Sequence, residues 1–144
     1  MNNKGKTAQT VVSILCVAVV IFTFTCLRFV VTSGPSMEPT YDANDALLCM
    51  RRLSDLKVGD VVLVQKNGML VVKRVAFVAG QEVKIVSDGV MELYGYWGSN
   101  TVPEGYVFVT GDNPDDSYDS RYEDFGLVSV KEEVWGTVIW HISR

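Results

Sequence analysis

A chain of 144 residues, 48% of them hydrophobic and with a formal net charge of −4, has room for one domain of ordinary size once an apolar N-terminal run is set aside. Lys4, Lys6 and Arg28 are the only charged side chains before Glu38, so all 17 acidic residues lie downstream; such a domain, with no basic stripe, argues against nucleic acid as a partner and for a membrane or a polypeptide. Two of the three cysteines sit in the apolar run and His141 is the only histidine, so neither a disulfide framework nor a metal site is expected, and no cofactor.

Residues 1–10 read as a short polar tail and residues 11–31 as a transmembrane helix, leaving 32–144 for the folded domain. Twenty-one residues at ~1.5 Å each give ~31 Å, which matches the hydrocarbon thickness. Ser and Thr within the run can return their hydroxyls to backbone carbonyls, and Arg28 lies near enough to the end to reach headgroups. No Ala-x-Ala site follows the run, which argues against a cleaved leader. Lys4 and Lys6 precede the span, so the positive-inside rule puts the tail in the cytoplasm and the domain outside the cytoplasmic membrane.

Beyond Thr32 the text reads as short β segments separated by turn chemistry, without sustained helical periodicity, so a mainly β fold is expected. Candidate strands cover 46–50, 60–65, 69–79, 82–87, 107–111 and 134–142. Asn67-Gly68 between two apolar runs predicts a hairpin, because both turn residues must accept positive φ. Residues 102–106, with Pro103 and Gly105, read as a turn into a buried strand. Residues 113–125 form a polar, Asp-rich loop, long enough in a small domain to suggest a function.

Ser36 follows Gly34-Pro35 just beyond the span, so chemistry there would occur close to the membrane. A hydroxyl is a poor nucleophile without a neighbour to take its proton, and His141, three residues from the C-terminus, is a weak choice. Lys73 is the better one. Read with period two, one face of 69–79 carries Met69, Val71, Lys73, Val75, Phe77 and Ala79, so Lys73 is the one ionisable group on an apolar face, while Arg74 points to solvent or a partner. Burial disfavours the ammonium form and would let the amine act as a base near neutral pH.

Ser36-Met37-x-Pro39-Thr40, Gly59-Asp60-Val61-Val62, Val72-Lys73-Arg74-Val75 and Gly111-Asp112-Asn113 through Ser117-x-Asp119-Ser120-Arg121 resemble, in order, the four sequence boxes of the type I signal peptidases. The resemblance implies a compact antiparallel β-sheet, barrel-like, behind one N-terminal span. It implies a Ser-Lys dyad: Ser36 attacks the scissile carbonyl and Lys73 takes its proton, later passing one to the leaving amine. Ser117 matches the serine that orients the lysine amine. Asp119 and Arg121 match an ion pair bracing that loop, with Asp112 and Asn113 in the same support. The Ser36 N–H is the implied oxyanion donor, and Gly34 at the position that can supply a hydroxyl resembles the Gram-positive branch, where main-chain donors predominate.

Departures follow the lysine, at Phe77, Ala79-Gly80 and Gln81, and recur at Pro114 and at Tyr122 to Phe125, which lengthen the approach to Gly126. The implied substrates are secretory preproteins with small side chains at the first and third positions before the cut, lying as an added strand, with Met37, Val71 and Val72 the candidates for shaping the pockets. Tyr94, Tyr96 and Trp97 are candidates for the lipid interface. Three other readings compete: a self-cleaving Ser-Lys peptidase like the SOS repressors, which the span and the missing DNA-binding domain oppose; a non-catalytic assembly factor for surface proteins such as pili, which the retention of Ser36 and Lys73 opposes; and an anchored β domain without a site, which makes four motif matches accidental.

Overall fold

The computed structural model describes residues 3–51, 55–87, 90–93 and 98–143. Its first element is α1, Asn3–Cys26, whose apolar side chains stand out from the fold, Phe24 being 84% exposed. Thr7–Cys26 is long and apolar enough to cross a bilayer, at ~30 Å for twenty residues. Its hydroxyls are returned to the helix: Ser13 Oγ donates to the Gln9 carbonyl at 3.0 Å, Thr23 Oγ1 to Val19 at 2.9 Å and Thr25 Oγ1 to Ile21 at 2.8 Å. Those three hydroxyls therefore need no water.

The helix ends five residues before the expected boundary at Val31, because Leu27–Val31 forms strand β1. Its pairing with β2 (Ala46–Arg51) runs from Leu27 opposite Met50 to Val31 opposite Ala46. The Leu-Arg-Phe-Val-Val run is apolar enough to prolong a span, but its β-branched and aromatic residues suit a strand that has a partner, and Val30 packs on the core beside Leu47 and Cys49. Arg28 accordingly lies over the Trp135 ring at 5.7 Å.

The remaining strands are β3 (Val61–Lys66), β4 (Met69–Val78), β5 (Lys84–Ser87), β6 (Val90–Leu93), β7 (Tyr106–Thr110), β8 (Val128–Ser129) and β9 (Val134–Ile142). Among the described residues seven strands form one antiparallel sheet in the order β1-β2-β9-β3-β4-β7-β8, and β5 and β6 pair separately. Every expected strand is present within two residues; β1, β6 and β8 had no candidate. Asn67 and Gly68, at φ 51° and 76°, make the expected hairpin between β3 and β4. Tyr94, Tyr96 and Trp97 lie outside the described residues.

Strand β3 explains why the core lies on both sides of the sheet. Val61 and Leu63 face one cluster with Met37, Tyr41, Leu47, Cys49 and Val72, while Val62 and Val64 face a second with Val75, Val107, Val109, Phe125 and Val128. Gly136 sits where β9 crosses from β2 to β3: a β carbon there would overlap the Met50 carbonyl oxygen, so only glycine admits the approach. On β4 the alternation runs from Val71 to Val75, then breaks at a bulge between Val75 and Phe77. Phe77 consequently packs edge-on against Phe108 in a third cluster, and Val78 returns to the Val75 side, so the expected six-residue face stops at Val75.

Candidate active site

Ser36 lies on the one-turn 3₁₀ helix Pro35–Met37, reached from β1 through Thr32 to Gly34. The turn is anchored at both ends. Thr32 Oγ1 donates to the Asp42 carbonyl at 2.5 Å, and Met37, 2% exposed, is buried and accepts from the Thr40 and Tyr41 N–H groups at 2.9 Å each. Gly34 is extended, at φ −161° and ψ 172°, and a β carbon there would meet nothing within 4 Å, so its backbone makes no demand for glycine and the site has room for a side chain.

Lys73, 3% exposed, projects from β4 beneath the 113–125 loop, where its Nζ donates to Ser117 Oγ at 3.0 Å. The Ser117 hydroxyl in turn donates to Asp119 Oδ2 at 2.6 Å, so its oxygen is left to accept from the amine. Asp119 is fully buried and saturated: it also accepts from the Gly111 N–H at 2.8 Å and from Arg121 Nε and a terminal guanidinium nitrogen at 2.8 Å each. Burial pushes the Lys73 amine below its ordinary value, against the pull of the Asp119 charge and with the help of Arg121. Burial opposes ionisation of Asp119 as well, but the hydrogen bonds from Arg121, Ser117 and Gly111 outweigh it and hold its carboxyl low. The carboxylate is thus spent on the guanidinium, and a desolvated amine stands beside it without a direct ion pair.

Asp112 pairs elsewhere than with the Asp119 loop. It takes Arg74 Nε at 2.7 Å and a terminal nitrogen at 2.5 Å, and Arg74 also reaches the Gly59 carbonyl at 2.9 Å. Arg74 therefore has the partner left open by its outward register, and it ties β4 to the Gly59 and Gly111 boxes. Burial opposes the Asp112 charge, but bonds from Arg74 and Thr40 keep the carboxyl below its usual range. Asn113 serves through its backbone, its N–H donating to the Ser36 carbonyl at 3.1 Å.

The two halves of the site meet at Gly111. A β carbon on it would overlap both Ser117 Oγ and the Ser36 carbonyl oxygen, so the backbone of Ser36 and the partner of the Lys73 amine close on the same α carbon. The Lys73 amine is bonded to Ser117, with no hydrogen bond yet formed to Ser36 Oγ. The sequence shows Gly111 only as part of a box; its role depends on packing between distant segments. Gly111→Ala is expected to cost about 2–4 kcal/mol, from overpacking against atoms that cannot all move, and to reduce turnover further than the lost stability explains. Thermal unfolding beside specific activity of the folded fraction measures both, and an alanine variant with unchanged melting would remove the close-approach argument.

Beside Ser36 a cavity of about 150 Å³ runs between Val30 to Gly34 on one wall and Leu70 to Val72 on the other, with Met37 at its floor. Among the described residues β1 pairs only with β2, and β4 meets β7 only from Arg74 onward, so both walls present backbone edges without a described strand partner at this point. Met37, Val71 and Val72 all line this groove; Met37 and Val72 also belong to the core, and Val30, Val31 and Leu70 join them. Val30 and Val31 reach the groove only because Leu27–Val31 is a strand and not the end of a helix. Among the described residues no cluster of metal-ligating side chains occurs.

The model of the signal peptidase, peptidase S26 family matches residues 5–94 and 91–142. The chain is 36% identical over 99 residues to mitochondrial inner membrane protease subunit 1 of Xenopus tropicalis, covering 64% of this chain and 56% of that protein. It is 31% identical over 143 residues to probable signal peptidase I-2 of Synechocystis, covering 81% and 64%, and 30% identical over 156 residues to signal peptidase I of Bacillus amyloliquefaciens, covering 90% and 83%. The chain thus spans about three fifths of the length of the first two. With the match extending from α1 through β9, and so across both walls of the groove, this chain belongs to the signal peptidase family, peptidase S26.

Proposed function

We propose that the chain is a membrane-anchored serine endopeptidase that cuts secretory preproteins behind their signal peptides, with Ser36 as nucleophile and Lys73 as general base. The observation that carries this reading is the buried Lys73 amine, lowered in pKa by desolvation and held by a Ser117 hydroxyl whose own proton is committed to Asp119. In that arrangement a neutral amine keeps its lone pair for Ser36. A bound peptide completes the alignment, as catalytic hydrogen bonds often tighten only when substrate is present. The Ser36 N–H then faces the developing oxyanion, a contribution of roughly 3 kcal/mol for one donor. Lys73 returns the proton to the leaving amine, and water deacylates Ser36 by the same route.

The substrate strand would enter between the edges of β1 and β4, with small side chains in the shallow space near Met37, Val71 and Val72. Cleavage of a synthetic preprotein with an Ala-x-Ala site, in detergent, tests the reading: wild type should process it and Ser36→Ala should not. Equal processing by both would remove Ser36 as nucleophile. No processing by either would favour the non-catalytic alternative.

The domain is proposed to stand on the outer side of the cytoplasmic membrane, from the placement of Lys4 and Lys6 before the apolar stretch Thr7–Cys26 of α1. The outward face of the adjoining sheet supports contact with lipid. In register across β1, β2 and β9 it carries Phe29, Leu48 and Trp140, then Val31, Ala46 and Ile142, with Phe29 71% and Trp140 53% exposed. Protease added to intact protoplasts is expected to digest the domain; complete protection there, with digestion after lysis, would reverse the orientation.

A further inference from the structure

The sequence segment 122–125, a departure from the family pattern, lies behind the site rather than in it, and it holds the loop that carries Ser117 and Asp119. Ser117 is extended, at φ −125° and ψ 122°, so the chain alternates there: Ser117 and Asp119 turn inward and are buried, while Tyr118 turns the other way. Its ring meets Phe125 edge-on at 5.2 Å and Tyr122 at 5.4 Å. Phe125 is a fixed point, 1% exposed in the cluster with Val62, Val64 and Val75, with Lys66 Nζ 5.7 Å from its ring. Lys66 is itself tied to the Leu127 carbonyl at 2.6 Å and to Glu133 at 2.9 Å. At the tip of the β3–β4 hairpin, Asn67 Nδ2 donates to the Asp124 carbonyl at 3.3 Å.

Both ends of this set of contacts bear on the base. The hairpin carries Lys73 on β4, the loop carries Ser117, and the bond from Asn67 to Asp124, beside the contact of Tyr118 with Phe125 within the loop, joins hairpin to loop a second time, away from the bond between Lys73 and Ser117. We propose that Tyr118, clasped by Tyr122 and Phe125 and backed by the bond from Asn67 to Asp124, is a positioning residue that holds the Ser117 hydroxyl against the Lys73 amine. This rests on the Ser-Lys reading above. Rotation of the loop by a fraction of an ångström would leave both groups in place but misaligned, which is where positioning effects are large. A loosened loop also admits water to the amine and brings it back toward its ordinary, higher pKa. The charged groups reaching Lys73 are Asp119 and Arg121, both on this loop; β3 meets it with Val62 and the 3₁₀ turn packs against β4 with Ser36.

The test compares Tyr118→Ala, Tyr118→Phe and Asn67→Gly with wild type and Ser36→Ala, all full-length in detergent, on the same preprotein. Tyr118→Ala should lower kcat by about 10- to 100-fold with KM changed less than about 3-fold, and move the acid limb of the kcat profile to higher pH. Tyr118→Phe keeps the ring contacts and should restore most of kcat. Asn67→Gly keeps the left-handed turn, removes only the amide, and should show the same shift at about 2- to 5-fold in kcat. It decides the matter if Tyr118→Ala fails to fold. A Tyr118→Ala or Asn67→Gly enzyme that melts lower but keeps wild-type kcat and an unmoved acid limb would reduce the clasp to fold stability. Activity surviving in Ser36→Ala would instead overturn the dyad on which the inference depends.

Discussion

Replacing Lys73 by arginine is expected to abolish turnover, by roughly 10³-fold or more in kcat, although charge and much of the stem are kept. Arg cannot give up its proton at any working pH, and its fork would have to displace Ser117, the hydrogen-bond partner of the amine. The wild-type enzyme should gain activity with rising pH, because the neutral amine is the active form and burial sets its pKa below 10.5. Stability should follow the same direction. Between the lowered folded value and 10.5 the unfolded chain binds more protons than the folded one, so the penalty of Lys73 is full below the folded pKa and disappears as pH rises through that window. Lys73→Met should remove that slope, read as melting temperature against pH, and should be inactive. Appreciable turnover by the Arg variant would move the base role elsewhere; the side chain of His141 packs against Tyr41, at 5.1 Å between rings.

Asp119→Ala is expected to be the most damaging change for the fold of the site, at about 3–5 kcal/mol, because it takes one buried partner from several donors at once. Arg121 loses its carboxylate, the Gly111 N–H loses its acceptor, and the Ser117 hydroxyl is released. The released hydroxyl can turn its proton toward the Lys73 lone pair and occupy it, so kcat of the surviving folded fraction should fall by about 100-fold as well. Melting should drop by at least ~10 °C for a domain of this size. In wild type the Asp119 contribution is present above the ordinary carboxylate range and is lost as pH falls through its lowered folded value, so the loop should loosen in acid. A variant melting within about 2 °C of wild type would show that the network contributes little, and that Arg121 has adequate partners without it.

Much of the site was legible because its chemistry is local. Lys73 on an apolar period stands out within a few residues of text and makes Ser36 after Gly34-Pro35 a candidate, while Ser117, Asp119 and Arg121 come only with the resemblance of the boxes. The hairpin at Asn67-Gly68 was legible for the same reason, since positive φ at two successive residues restricts composition. The end of the span was not. Hydropathy continues through Val31, and only pairing with β2 makes Leu27–Val31 a strand, since apolar residues suit lipid and a sheet equally well. The bulge that turns Phe77 away from the Lys73 face is likewise a property of two strands, invisible in one.

By itself, then, the sequence determined the apolar span, the β class and the candidates for the reacting groups, because side-chain type and period are written residue by residue. The tertiary structure decided which groups meet. It gave Asp112 to Arg74 rather than to the loop, brought Ser36 and Ser117 together at Gly111, opened the groove between β1 and β4, and set Phe125 under Tyr118. The first three join segments tens of residues apart, and a one-dimensional pattern holds no record of distance between them. The lowered pKa of Lys73 belongs to the same class, for desolvation depends on everything packed around the amine and on nothing in its own neighbourhood of sequence alone.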